Sequence, residues 1–130
     1  MFHLTGDYWT LRYDGALCCL RDSVGLRHLA RLLRSPGERI ASIDLEAAAR
    51  SLPVLHANVP YGGRSPDYAR VNVARAVRAA LRSIALHHPA LADHLSRTVR
   101  TGASCSYDPD PSARIRWDIL DQEDRARARR

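Results

Sequence analysis

Residues 67–86, Asp67-Tyr-Ala-Arg-Val-Asn-Val-Ala-Arg-Ala-Val-Arg-Ala-Ala-Leu-Arg-Ser-Ile-Ala-Leu86, constrain the fold more than any other stretch of the chain. Val73, Val77, Leu81 and Ile84 recur at i, i+4, i+8 and i+11, and at 100° per residue they fall within an arc of about 80°. Arg75, Arg78 and Arg82 fall on the opposite side. Ser65-Pro66-Asp67 supplies a helix start, and His87-His88-Pro89 a stop, because proline has no N–H to continue the ladder. The spacing predicts one long helix with an apolar side that must be buried on a core and an arginine side turned outward.

The rest of the chain is long enough to build that core. Its 130 residues suit a single domain, and 45% hydrophobic with 26% charged residues excludes a disordered chain. The apolar runs are too short to span a membrane, and Met1-Phe-His-Leu-Thr-Gly-Asp7 lacks a cationic segment followed by a hydrophobic one, so the expected location is the cytoplasm. Three cysteines, two of them adjacent, make no disulfide framework, which fits a reducing compartment. All twenty basic residues are arginines. Their distribution is uneven: residues 61–107 carry seven Arg against two acids, whereas residues 1–60 carry seven against six and residues 108–130 six against six. The excess positive charge is thus concentrated in the long helix and the stretch after it, as expected of a surface that meets a polyanion.

Around the helix, the chain alternates strand and helix signals. Tyr8 to Tyr13 alternates, with Trp9, Leu11 and Tyr13 on one face, and Asp14-Gly15 predicts a two-residue hairpin turn into Ala16–Arg21, since both turn positions need positive φ. Cys18 and Cys19 fall on opposite faces of that return strand. Asp22-Ser23 caps a predicted helix over Val24–Arg34 with Leu26, Leu29, Leu32 and Leu33 as its apolar stripe and His28 on its surface; Ser35-Pro36-Gly37 ends it. A short extended piece at 38–41 leads to a second helix opening at Ser42. Residues 53–66, with three prolines and two adjacent glycines, read as a long surface loop. After Pro89 come a short helical turn over Ala90–Leu95 and a hairpin over residues 96–107, then a last strand around Ile115, Trp117 and Ile119. The expected organisation is one domain over 1–120 and a disordered charged tail over 121–130.

This succession resembles the winged helix-turn-helix DNA-binding domain of response regulators of the OmpR and PhoB type. Three patches carry the resemblance. Leu20 to Leu45 is similar to that family's first helix, Pro-Gly turn and start of the second helix. Arg70 to Leu81 is similar to the end of its recognition helix, and Pro89 with Thr98-Val-Arg100 to the proline and the opening of its wing. Thr101 to Tyr107 is longer than the family's wing. The Tyr-Trp-Thr hairpin with Arg-Val-Asn-Val and a Thr-Gly-x-x-Cys-x-Tyr stretch is also similar to terminal segments of large bacterial ATPase-type regulators.

The resemblance implies an α+β winged-helix fold with an N-terminal hairpin, a three-helix core and a C-terminal hairpin wing. It implies a transcriptional regulator that reads double-stranded DNA, as a homodimer or in tandem, with helix 67–86 in the major groove and the wing on backbone or minor groove. In that arrangement Asn72, Arg75 and Arg78 reach base edges, Arg82 reaches phosphate, and Arg97 or Arg100 serves the wing contact. The second possibility is a protein-interaction or small-ligand module working through loop 53–66. No nucleophile elbow, phosphate loop or carboxylate pair is visible, so no enzyme and no cofactor are expected. His87, His88 and His94 cluster in sequence but point apart at a helix end, and no metal site is expected from them. No pattern marks a site for a small-molecule effector.

Overall fold

The computed structural model describes residues 2–49, 66–110 and 117–120, which form a mixed α+β fold of four helices and two small sheets. The hairpin forms where the alternation and the Asp-Gly turn place it. Strands β2 (Tyr8–Tyr13) and β3 (Ala16–Arg21) pair antiparallel, and Asp14 and Gly15 take φ of 52° and 80°. A strand not expected from the sequence precedes them: β1 (Phe2–Thr5) folds back on β2 through a turn in which Gly6 has φ of 61°. Period-2 alternation puts Phe2, Leu4, Trp9, Leu11, Cys18 and Leu20 on the buried side and Thr5, Tyr8, Arg12, Leu17 and Cys19 on the exposed side. Burial pushes the Cys18 thiol above its ordinary value, with Cys19 adding to the shift.

Helix α1 (Val24–Arg34) starts where its cap predicts: the Ser23 hydroxyl accepts the Leu26 N–H at 3.3 Å. Asp22 has another task. One of its oxygens accepts the indole N–H of the fully buried Trp9 at 2.7 Å, and Arg27 closes on the same carboxylate at 2.6 Å. The sheet is thereby tied to the first turn of the helix by a charge-assisted bond. Seven of the eleven residues of α1 are buried, a far wider arc than the leucine stripe alone. His28, expected on the surface, is only 2% exposed. The reason is that α1 packs against α3 (Pro66–His87), α2 (Ser42–Ala49) and the second sheet at once, so both flanks of its stripe are covered.

The crossing of α1 and α3 is unusually close. A Cβ on Gly25 would overlap the Ala76 carbonyl and stand 2.8 Å from the Ala80 Cβ. On α3 the buried set is Ala69, Val73, Val77, Ala80 and Ile84, with Leu81 at the edge. The helix is therefore seated on its alanine side, slightly rotated from the arc that the large side chains define.

Past α3, the expected helical turn over Ala90–Leu95 is instead a full fourth helix, α4 (Pro89–Thr98), so the core has four helices rather than three. Pro89 sits in its first turn and the His88 ring caps it, accepting the Leu91 N–H at Nδ1. Leu91, Ala92, His94 and Leu95 bury one face, and no breaker stands before Val99. The second sheet joins β4 (Ile40–Ala41), β6 (Ser104–Tyr107) and β5 (Val99–Arg100) in the order β4-β6-β5, all antiparallel. Finally, β7 (Ile119–Leu120) pairs parallel with β1 and completes the first sheet as β3-β2-β1-β7. Residues 53–65 of the expected loop and the expected tail over 121–130 lie outside the described residues.

Replacing Gly25 with Ala tests the close crossing. In an isolated helix the change gains about 1 kcal/mol, whereas the clash with backbone costs about 1–3 kcal/mol or more as an overpacked core does. The clash is expected to win, lowering the urea midpoint with little change in slope.

Candidate nucleic-acid interface

Helix α3 is 22 residues long, about 33 Å at 1.5 Å per residue. Because its alanine side is locked against α1, its opposite side faces outward. Arg75, Arg78 and Arg82 are all exposed there. Among the described residues no carboxylate forms a salt bridge with any of the three; Arg78 makes only a long bond from Nε to the Ala74 carbonyl, 3.4 Å, one turn back. Three guanidinium groups held on one rigid face, with no carboxylate partner among the described residues, form a positive field suited to an anion.

The same face carries residues the sequence reading passed over. Tyr68 is 50% exposed, Val71 42% and Leu86 82%. At 100° per residue, Tyr68, Val71, Arg75, Arg78, Arg82 and Leu86 all fall within an arc of about 80°. The same helical wheel that separates the arginines from the valines places these three beside the arginines, so the signal was present in the sequence. Asn72 is different: half-buried, it stands on the flank of α3 rather than among the arginines.

The remaining two expected contacts part company. Arg97 is not in a hairpin strand: it lies in the last turn of α4, pairing with Asp93 one turn earlier at 2.9 Å. Both side chains are well exposed, so this pair contributes little to stability. Helical geometry reaches as far as Thr98, whose hydroxyl donates back to the His94 carbonyl at 2.6 Å, and this explains why the expected strand alternation over 97–101 does not occur. Arg100 is in the hairpin, on β5 opposite Ser106. Its Nε lies 3.3 Å from Asp108, whose same oxygen accepts the Ser106 hydroxyl at 2.7 Å, so the arginine is held at the hairpin's edge with its side chain 79% exposed.

The hairpin itself is fastened to the start of α2. Ser42, the first residue of α2, reaches across to the hairpin: its hydroxyl donates to the Gly102 carbonyl, its N–H donates to the Ala103 carbonyl at 2.9 Å, and Cys105 Sγ lies 3.4 Å from its oxygen. Together these bonds fix the hairpin loop relative to the helices. No motif at Ser42 announces this, since its partners are sixty residues away. The histidines are likewise committed to the fold: His88 caps α4 and bonds the Tyr13 carbonyl at 2.8 Å, and His94 bonds Tyr107. Among the described residues no group of three or more His, Cys, Asp or Glu side chains is placed to hold a metal, and no helix is long and apolar enough to cross a membrane.

Compared with known proteins, the chain matches no family model, no curated protein and no solved structure.

Ser42→Ala is expected to cost about 1–2 kcal/mol, the value of a lost bond that leaves a part-buried carbonyl unpaired. Amide hydrogen exchange should locate the effect in the 100–106 hairpin rather than in α3.

Proposed function

We propose that this chain is a winged-helix protein that binds double-stranded DNA sequence-specifically and acts as a transcriptional regulator. The observation that carries this reading is the outward face of α3, with Arg75, Arg78 and Arg82 unpaired by any described carboxylate and interleaved with exposed Tyr68 and Val71. From Arg75 to Arg82 is seven residues, about 10.5 Å along the axis, which suits a major groove about 12 Å wide. Guanidinium groups fork to guanine edges or bind phosphate, and an exposed valine meets a thymine methyl group. Asn72, on the flank, is suited to an adenine or backbone contact at the groove's side.

The order of elements supports the winged-helix reading. Helix α1, strand β4, helix α2 and the long α3 are followed by a hairpin that pairs with β4. Helix α4 is an addition between the recognition helix and the wing. In this arrangement the wing contact belongs to Arg100, while Arg97 stands on α4 and touches backbone at most. A homodimer or tandem arrangement on repeated half-sites accompanies the reading.

A second reading, a protein-interaction module, is favoured by one observation: Tyr68, Val71 and Leu86 leave apolar surface on the same face. A single experiment separates the two. The protein is titrated against its own upstream DNA and against random duplex at two salt concentrations, as wild type and with Arg75, Arg78 and Arg82 changed to Ala. DNA binding predicts a log–log salt slope that flattens by about 0.9 for each phosphate contact removed. It also predicts loss of discrimination by about 1–3 kcal/mol for each base contact removed. Absence of binding at low salt, or binding indifferent to the substitutions, overturns the DNA reading and leaves the interaction module. Equal loss on specific and random duplex reassigns the arginines to phosphate alone.

A further inference from the structure

Four rings from four separate parts of the chain meet behind the hairpin: Tyr13 at the end of β2, His94 on α4, Tyr107 on β6 and Trp117 just before β7. Tyr13 stacks on His94 with centroids 5.2 Å apart and on Trp117 at 5.9 Å, with interplanar angles of 20° and 11°. His94 and Trp117 both bond the Tyr107 hydroxyl, at 2.7 and 2.9 Å. His94 and Tyr107 are buried.

The hydrogens in this cluster can be assigned by counting. The Trp117 indole only donates, so the Tyr107 oxygen accepts from it. The hydroxyl has one hydrogen, and the near neighbour able to take it is His94 Nε2. In the arrangement that satisfies all three groups, His94 is neutral, carries its proton on Nδ1, and accepts at Nε2. A proton added at Nε2 reverses that bond. The imidazolium must then donate toward an oxygen that already accepts from Trp117, and the Tyr107 hydrogen loses the acceptor that His94 gave it, with no other hydrogen-bond partner of that hydroxyl among the described residues.

We propose that His94 is a proton-operated latch that holds the Trp117 segment and β6 against α4 when neutral and releases the Trp117 indole when protonated. The surroundings favour the neutral ring. Burial pushes the His94 imidazolium below its ordinary range, Arg97 on the same helix adds to the shift, and Asp93 opposes it. Burial also pushes the Tyr107 phenol up, opposed by the Trp117 bond and aided by Tyr13, so its hydroxyl keeps its hydrogen. Among the described residues, the remaining ionisable neighbours do not supply a counter-ion. His88 lies against Tyr13, at 5.9 Å between centroids, with both ring nitrogens engaged by the Tyr13 carbonyl and the Leu91 N–H, and Asp93 is turned to Arg97. Arg34 and Asp118 line an open groove of about 340 Å³ beside Trp117, and Asp118 is paired with His3 at 2.8 Å. Stacking on Tyr13 and Trp117 offers the cation some attraction, but it does not replace the lost hydrogen bond and hydration.

Release is local. Strand β7 keeps its own hold on β1, through the Phe2 N–H to the Asp118 carbonyl at 2.9 Å. What loosens is the indole and, through Tyr107, the β6 arm of the hairpin that carries Arg100 opposite Ser106. The sign follows from linkage. A histidine whose folded value is lowered stabilises the neutral state above its unfolded value, about 6.5, and that contribution is lost as pH falls below it. The latch is therefore closed at pH 7.5 and opens on acidification. It does not depend on whether α3 binds DNA.

Proton–nitrogen NMR on the full chain tests this. At pH 7.5 the His94 ring should show the Nδ1–H tautomer, and the Trp117 indole signal should be that of a bonded N–H in slow exchange. Lowering the pH through the His94 titration should move the Trp117 signal to the position of a solvent-exposed indole, while the Trp9 indole, bonded to Asp22, stays fixed. In His94→Gln, which still accepts from Tyr107, the Trp117 signal should stop responding over the pH range in which the wild-type His94 titrates. A Trp117 signal that stays constant while His94 titrates overturns the proposal, as does one that moves equally in His94→Gln. An Nε2–H tautomer at pH 7.5 in the wild type overturns it without any variant, should His94→Gln fail to fold.

Discussion

The approach of α1 to α3 at Gly25 governs the rest of the structure. With no side chain at Gly25, the Ala76 backbone and the Ala80 methyl come into direct contact with the first helix. Interaxial distance in helix packing is set by the side chains at the crossing, and small residues give the shortest. The consequence is rotational as well as translational. Seating α3 on its alanines fixes which residues look outward, and so it is this contact that places Tyr68, Val71, Arg75, Arg78 and Arg82 on a single exposed face. The four-stranded sheet reinforces the arrangement from the other side, since Asp22 ties the buried Trp9 to Arg27 in the first turns of α1.

A second support acts on the hairpin. Ser42 holds its loop, Gly37 donates from the α1–β4 turn to the Tyr107 carbonyl at 2.7 Å, and the His94–Tyr107–Trp117 relay holds its return strand. None of these is a large apolar contact. They are directional bonds between segments far apart in the chain, strong only while every donor finds its acceptor. They act beside the core packing of Cys105 and Tyr107, and they are the part of the hairpin's support that a change in protonation, as in the proposed His94 latch, can alter.

The chemistry of the exposed surface is uneven in an informative way. Arg27, Arg97 and Arg100 each have a carboxylate partner. Arg75, Arg78 and Arg82 do not have one among the described residues. The described acids that form ion pairs, Asp22, Asp93, Asp108 and Asp118, pair elsewhere. The proposed DNA reading rests on that asymmetry together with the spacing of the three arginines, and the exposed Tyr68, Val71 and Leu86 define what an alternative protein partner would have to cover.

Much of this was legible in the linear sequence because it depends on short-range physics. Asp14-Gly15 determines a tight turn through φ alone; Ser23 caps α1 three residues away; Val73, Val77 and Ile84 repeat at a helical period and become core. The arginine face of α3 follows from the same period. What the sequence could not determine depends on groups brought together only by folding. Strand β1 exists because β2 offers it an edge. His28 is buried because α1 is covered on both flanks. Residues 96–98, read as the beginning of a strand, continue a helix because Pro89 and His88 nucleate α4 and no breaker intervenes before Val99. The register of α3, which decides that its arginines rather than Asn72 lead the exposed face, was settled by Gly25 meeting Ala76 and Ala80. Periodicity identifies a helix and its apolar side, but the last few tens of degrees of rotation belong to the tightest contact, and that contact lies between residues some fifty positions apart.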